Sequence, residues 1–265
     1  MIEIAISLAI IGFALVAIIG VLPIGMNVQK DNREETIINQ DATVMMDAIR
    51  NGAQGLDDLT NYVIAITNTV FSYQRPAMKS TFIGTYGYTR TNSSGMSYQF
   101  PLTNGFRIVG LLSTPKYVSW VSAKPAGSGY YSNNVVAYVR SMSGAAYEKY
   151  PQSNPDVQDL GFSYRMTSEV VPYGTNYYDP SWTAVDTNYA NVVNNLNANL
   201  HDVRLTFRWP LRSRGQLGQG GQAFRTLAGG FLQETNEPGY YRSAPGVVPT
   251  PYDLYFFQSR TYVKQ

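Results

Sequence analysis

Cysteine is absent from this chain of 265 residues. Disulfides, thiolate metal sites and cysteine nucleophiles are therefore excluded together, although an extracytoplasmic location is not, because such domains can do without disulfides. Histidine occurs once, at His201. A lone imidazole with no thiol beside it makes a poor metal site and a poor triad member, and it reads as a strand-edge residue. Charge is sparse, at 14% of residues, and almost balanced, with 20 basic and 18 acidic side chains for a net +2. That balance gives no ground for nucleic acid as a partner. The glycine-rich run GQLGQGG at 215–221 lacks the Lys-Ser/Thr of a phosphate-binding loop. Two acidic groupings, Asn154 with Asp156 and Asp159, and Asp179 with Asp186 and Asn188, have oxygen ligands suited to calcium. Neither follows a dedicated loop pattern, and both read as turn residues. No carboxylate spacing points to hydrolysis. The expectation is a protein with no catalytic residues, no cofactor and no metal, and not an enzyme.

What the chain has instead is a long apolar opening, MIEIAISLAIIGFALVAIIGVLPIGM, whose only charge is Glu3. As a helix of ~1.5 Å rise per residue it spans ~39 Å, enough to cross a hydrocarbon core of ~30 Å. It lacks the basic flank, the short apolar core and the small-x-small cleavage site of a secretory signal peptide, so it reads as a retained element. A carboxylate in such a segment costs roughly 2.5–3.5 kcal/mol at mid-membrane and less near the surface. Gly12, Gly20, Pro23 and Gly25 all weaken the helix, the glycines by roughly 0.5–1 kcal/mol each and the proline by removing a donor and crowding the preceding turn. A bend or local unwinding between Gly12 and Pro23 is expected when copies pack; a modest kink at Pro23 is the alternative for a membrane-resident monomer.

Polarity changes abruptly at 27–35, where Lys30, Asp31, Arg33, Glu34 and Glu35 form a charged collar. Helical spacing continues beyond it: Ile38, Ala42, Met45 and Ile49 form one apolar stripe, with Asn39, Asp47 and Arg50 opposite. The reading is one helix to about residue 51, stopped at Gly52 or Gly55, with its first half free to pack on other copies and its second half on its own domain.

The lone Glu3, the Ala9-Ile10-Ile11-Gly12 step and the break at Gly20 and Pro23 occur in that order. In this the first 50 residues resemble the N-terminal segment of type IV pilins and pseudopilins. The resemblance implies that residues of the natural chain precede Met1, because the family's leader and its N-methylated Phe lie upstream. It also implies that Glu3 meets the N-terminal amine of a neighbouring subunit. Opposite charges about 4 Å apart gain on the order of 4 kcal/mol at an effective dielectric of ~20, before desolvation. On that reading Glu3 sets axial register; a snorkelling carboxylate on a single-pass anchor is the plainer alternative.

Farther on, Leu56, Leu59, Val63 and Ile66 have the spacing of a short helix, with Asp57 and Asp58 at its N-terminal end. Residues 72–105 read as loops with short extended pieces, and Asn92-Ser93-Ser94 is a chance sequon. Strand-like runs fall at 106–112, 117–122, 135–142 and 160–166. Residues 189–200 have the makings of a short helix. The alternation of Val203, Leu205, Phe207 and Trp209 marks a strand, joined through a long mobile loop at 214–221 to a second at 223–227. Arg204, Arg208 and Arg225 share its polar face, and 254–263 adds a final strand after a Pro-rich connector.

The predicted fold class is α+β: a long N-terminal helix, hydrophobic then amphipathic, packed on a C-terminal antiparallel sheet. The domains are 1–54 and 55–265. Within the first, residues 1–26 form a transmembrane or filament-core segment and 27–54 an amphipathic one. The resemblance implies a structural subunit of a pilus-like filament whose partners are further copies of itself, the membrane before assembly, and the inner-membrane pilus or secretion assembly machinery. It places the chain in the inner membrane first and on the cell surface afterwards. Two alternatives stand: a minor pseudopilin of a secretion-like complex, or a single-pass anchored adhesive or carbohydrate-binding protein, for which the Tyr130-Tyr131, Tyr177-Tyr178 and Tyr240-Tyr241 pairs are the motive.

Overall fold

The computed structural model describes residues 2–52, 56–74, 79–89, 99–123, 126–143, 162–174, 187–212, 215–236 and 250–264. The layout is α+β, with a long apolar N-terminal helix followed by a mainly antiparallel sheet. Helix α1, Ile2–Arg50, runs for 49 residues through Gly12, Gly20, Pro23 and Gly25 without a break. It ends where Gly52 takes φ +56°, after Asn51 N–H and Gly52 N–H have donated to the Asp47 and Ile49 carbonyls. A side chain at Gly52 would run into the Phe257 backbone, so both conformation and space demand glycine there. The chain divides within α1 into two compact units, Met1–Gln40 and Asp41–Gln265.

The larger unit is built on an eight-stranded sheet. Its strands are β1 (Val63–Gln74), β2 (Lys79–Thr89), β3 (Gln99–Pro101), β4 (Tyr117–Ala123), β5 (Ala126–Arg140), β6 (Ser163–Pro172), β7 (Leu200–Leu211) and β8 (Leu217–Gly229). The order is β3-β2-β1-β5-β6-β7-β8, with β4 paired to the first half of β5. Every pairing is antiparallel except β2 with β3. Residues cross the sheet in rungs. Ile66, Ala137, Met166 and Phe207 stand opposite one another on four successive strands and are fully buried. Asn68, Val135, Ser168 and Leu205 form the next rung. The period of two thus turns one face of four strands into a continuous core.

Helix α2, Gly105–Leu112, touches β1 and β5 of that sheet and also the segment Asp253–Gln258. Ser168 Oγ donates to the Leu112 carbonyl at 2.6 Å. Gly110 lets α2 approach the second sheet, a hairpin of β9 (Phe231–Asn236) and β10 (Asp253–Gln258); a Cβ there would come within 2.8 Å of the Phe256 ring. Helix α3, Thr187–Asn199, leads directly into β7.

Several expectations need correction. Residues 106–112, expected as a strand, are α2: Asn104 caps it by accepting from Arg107 N–H at 2.9 Å. Leu59 lies in a single 3-10 turn, Asp57–Asn61, but Val63 and Ile66 belong to β1, because the β-branched density of that run outweighs its helical spacing. Between 72 and 105 there is an 11-residue strand, β2, where only short extended pieces were expected. The 214–221 loop is short, since β8 begins at Leu217 and Arg212 N–H already donates to the Gln216 carbonyl. The sequon at 92–94 and the connector residues 245–249 lie outside the described residues.

Candidate functional site

From Ile2 to residue 33, every described side chain of α1 is exposed. Thirteen large apolar side chains between Ile2 and Leu22 stand free, Phe13 at 80% of its full area. Burying them is worth roughly 20–40 kcal/mol in gross transfer, at about 1.5–3 kcal/mol each. The helix is long and apolar enough to cross a membrane. Its polar atoms suit that medium: Ser7 Oγ donates to the Glu3 carbonyl at 2.8 Å, leaving no bare hydroxyl on the surface. Glu3 lies in the first turn, where the helix dipole favours a negative charge. Among the described residues its carboxylate has no partner. At the collar, Lys30 Nζ lies 3.8 Å from Glu34 Oε1. Partial burial nonetheless raises the Glu34 carboxyl, Asp31 adding to the effect and Lys30 opposing it.

A Cβ added at Gly12, Gly20 or Gly25 would meet no atom within 4 Å. Among the described residues no close neighbour requires glycine at these three positions. The continuous helix of the single chain passes through Pro23 as well; the bend expected between Gly12 and Pro23 concerned packed copies.

The amphipathic half is buried in pairs: Ile37 and Ile38, Asp41 and Ala42, Met45 and Met46, Ala48 and Ile49. Ile38, Ala42, Met45 and Ile49 are each at most 1% exposed. Asp41 belongs to the same stripe and escaped the sequence reading. Its Oδ2 accepts from Met142 N–H at 3.0 Å and from Tyr164 Oη at 3.1 Å, and its Oδ1 from Ser143 Oγ at 2.5 Å. The carboxylate thus fastens the last three turns of α1 to β6 and to the chain leaving β5. Burial raises the Asp41 carboxyl against these three bonds, and burial with the nearby Asp41 charge pushes the Tyr164 phenol well above its usual range. The signal was present in the sequence as an acidic residue in phase with Ile38, Met45 and Ile49.

Other singled-out residues fall elsewhere. His201 is the second residue of β7, with Pro172 of β6 and Ala228 of β8 opposite it. Burial lowers its pKa to about 4, and its ring meets Phe257 edge-on at 5.3 Å. Arg204 and Arg225 do share a face, but not as free charges. Both close on Asp202, Arg204 Nε at 2.8 Å and Arg225 Nε at 2.7 Å. Burial pushes the Asp202 carboxyl up, yet the two guanidinium groups together hold it below its usual value. Arg208 is exposed on β7, opposite Gly221 and Arg165. Tyr130 and Tyr131, expected on the surface, are buried; Tyr130 stacks on Tyr73 at 4.8 Å and meets Tyr117 edge-on at 5.3 Å. The other two tyrosine pairs, and the acidic groupings at 154–159 and 179–186, lie outside the described residues. Among the described residues no group of three or more His, Asp or Glu has the arrangement of a metal site.

The chain matches no protein-family model, no curated protein and no solved structure.

Proposed function

We propose that the chain is a structural subunit of a pilus-like filament, held in a membrane by the apolar half of α1 until that half packs against copies of itself. The observation that carries this reading is the pairing of thirteen exposed large apolar side chains with three glycines at which an added Cβ would meet only open space among the described residues. A plain anchor needs the first but not the second. Small residues matter where helix backbones come close in an apolar medium. Glu3 then acts as a register device: its charge is satisfied only when a neighbour supplies a cation. In this reading the chain is not an enzyme, and its partners are its own copies, the membrane and an assembly machinery.

Glu3→Ala is the test. The expected result is a variant that stays in the membrane fraction as a stable monomer but gives few or no filaments by electron microscopy of sheared surface material, with the chain identified by mass spectrometry. Wild-type filament yield from the variant would reject the register role. Absence of filaments from wild-type cells would reject the filament itself and leave an anchored subunit of a smaller complex.

A further inference from the structure

Where α3, β4 and β9 converge, the larger unit holds a cavity of about 570 Å³, within the range of small-ligand sites. Asn194 and Asn197 of α3 line it, with Gln233 and Glu234 of β9. Tyr117, Tyr255 and His201 line it as well.

The lining narrows the ligand class. Among the described residues it has no Lys or Arg, and its one acidic side chain is Glu234. An anion would find no cation there. A divalent cation would find one carboxylate and no cluster of ligands. A wholly apolar ligand would strip water from three amides and return no hydrogen bond. A neutral polyol matches what remains: each amide offers both a donor and an acceptor, and tyrosine rings cover the C–H faces of a sugar.

One further feature fits a built site. Asn197 is buried and its Oδ1 accepts from Gly174 N–H at 2.7 Å, so its amide is held in place before anything binds.

We infer that this cavity binds a neutral saccharide. The inference is independent of the filament reading, since neither α1 nor Glu3 contributes to the cavity. It also differs from the tyrosine-pair expectation, whose one described pair is buried elsewhere.

The test uses the full chain in a detergent without a sugar headgroup. Titration calorimetry with glucose, cellobiose, maltose, lactose and chitobiose is set against glucose 6-phosphate and inorganic phosphate. At least one neutral sugar is expected to bind. Asn194→Ala and Gln233→Ala, both exposed positions that leave the core intact, should each weaken it tenfold or more, while Arg208→Ala on the polar face of β7 leaves it unchanged. Failure of every neutral sugar to bind at millimolar concentration overturns the inference. So does affinity that survives both substitutions, or tighter binding of glucose 6-phosphate than of glucose. None of these outcomes bears on whether filaments form.

Discussion

At Gly110 an added Cβ would come within 2.8 Å of the Phe256 ring and 2.9 Å of Leu254, whereas at Gly12, Gly20 and Gly25 it would meet nothing within 4 Å. The large side chains divide the same way: Met166 and Phe207 are fully buried, while Phe13 is 80% exposed. In the larger unit, glycines and hydrophobes answer to neighbours within the same chain. In the apolar half of α1 the large side chains are exposed and a Cβ at the three glycines would meet open space among the described residues. A glycine in a helix interior costs up to about 1 kcal/mol relative to alanine.

The largest effects fall in the sheet. Phe207→Ala should lower the stability of the larger unit by about 3–5 kcal/mol, followed by tryptophan fluorescence during denaturant unfolding, while the fraction sedimenting with membranes stays as in the wild type. Loss of membrane retention would show that the two regions are not separable. Next comes pH. His201 titrates at about 4 in the folded chain against 6.5 when unfolded. Its contribution is complete above 6.5 and is lost as pH falls towards 4, by about 3 kcal/mol; unfolding curves of His201→Gln should lack that slope. Asp41 has the opposite sign. Its carboxyl is raised above 3.8, so its contribution is complete below 3.8 and is lost as pH rises through the raised value. Asp41→Asn should remove this dependence, and Asp41→Ala should cost about 2–3 kcal/mol by leaving Met142 N–H and Tyr164 Oη without an acceptor. The smallest effects sharpen the contrast most. Gly110→Ala should destabilise by about 1–3 kcal/mol through overpacking. Gly20→Ala should stabilise the helix by about 0.5–1 kcal/mol in micelles while reducing self-association measured by crosslinking.

How far the sequence revealed this depends on which neighbours each residue answers to. Val203, Leu205, Phe207 and Trp209 were legible because a half-buried strand writes its two faces into a local alternation. The run at 106–112 was not: seven mostly apolar residues fit a buried strand or a short helix equally well. The deciding residue, Asn104, lies outside the run and acts through its cap on Arg107. The glycines at 218–221 looked like a loop, yet Gly220 stands opposite Trp209, and an added Cβ would collide with the indole. That requirement comes from a strand partner eleven residues away. Asp202 and Arg225 meet across the β7–β8 pairing, and the cavity beside His201 assembles from segments spread between Pro115 and Tyr255. Such a constellation leaves no local pattern to read. The stripe through Ile38, Ala42, Met45 and Ile49 was legible, but Asp41 was passed over because periodicity alone does not register a polar member of a buried face.

The 15-residue strand β5 carries a consequence for the order of events in time. It pairs with β1 along one edge, Val63 opposite Val139, and with β4 and then β6 along the other. β1 and β2 can pair as soon as both exist, but the sheet cannot extend from β1 to β6 until β5 has been synthesised, and loop closure over such separations is slow beside helix formation. The apolar half of α1, made first and held only by local hydrogen bonds, is complete long before that. During synthesis the chain therefore has a finished helix while the strands that complete the sheet are still to be made.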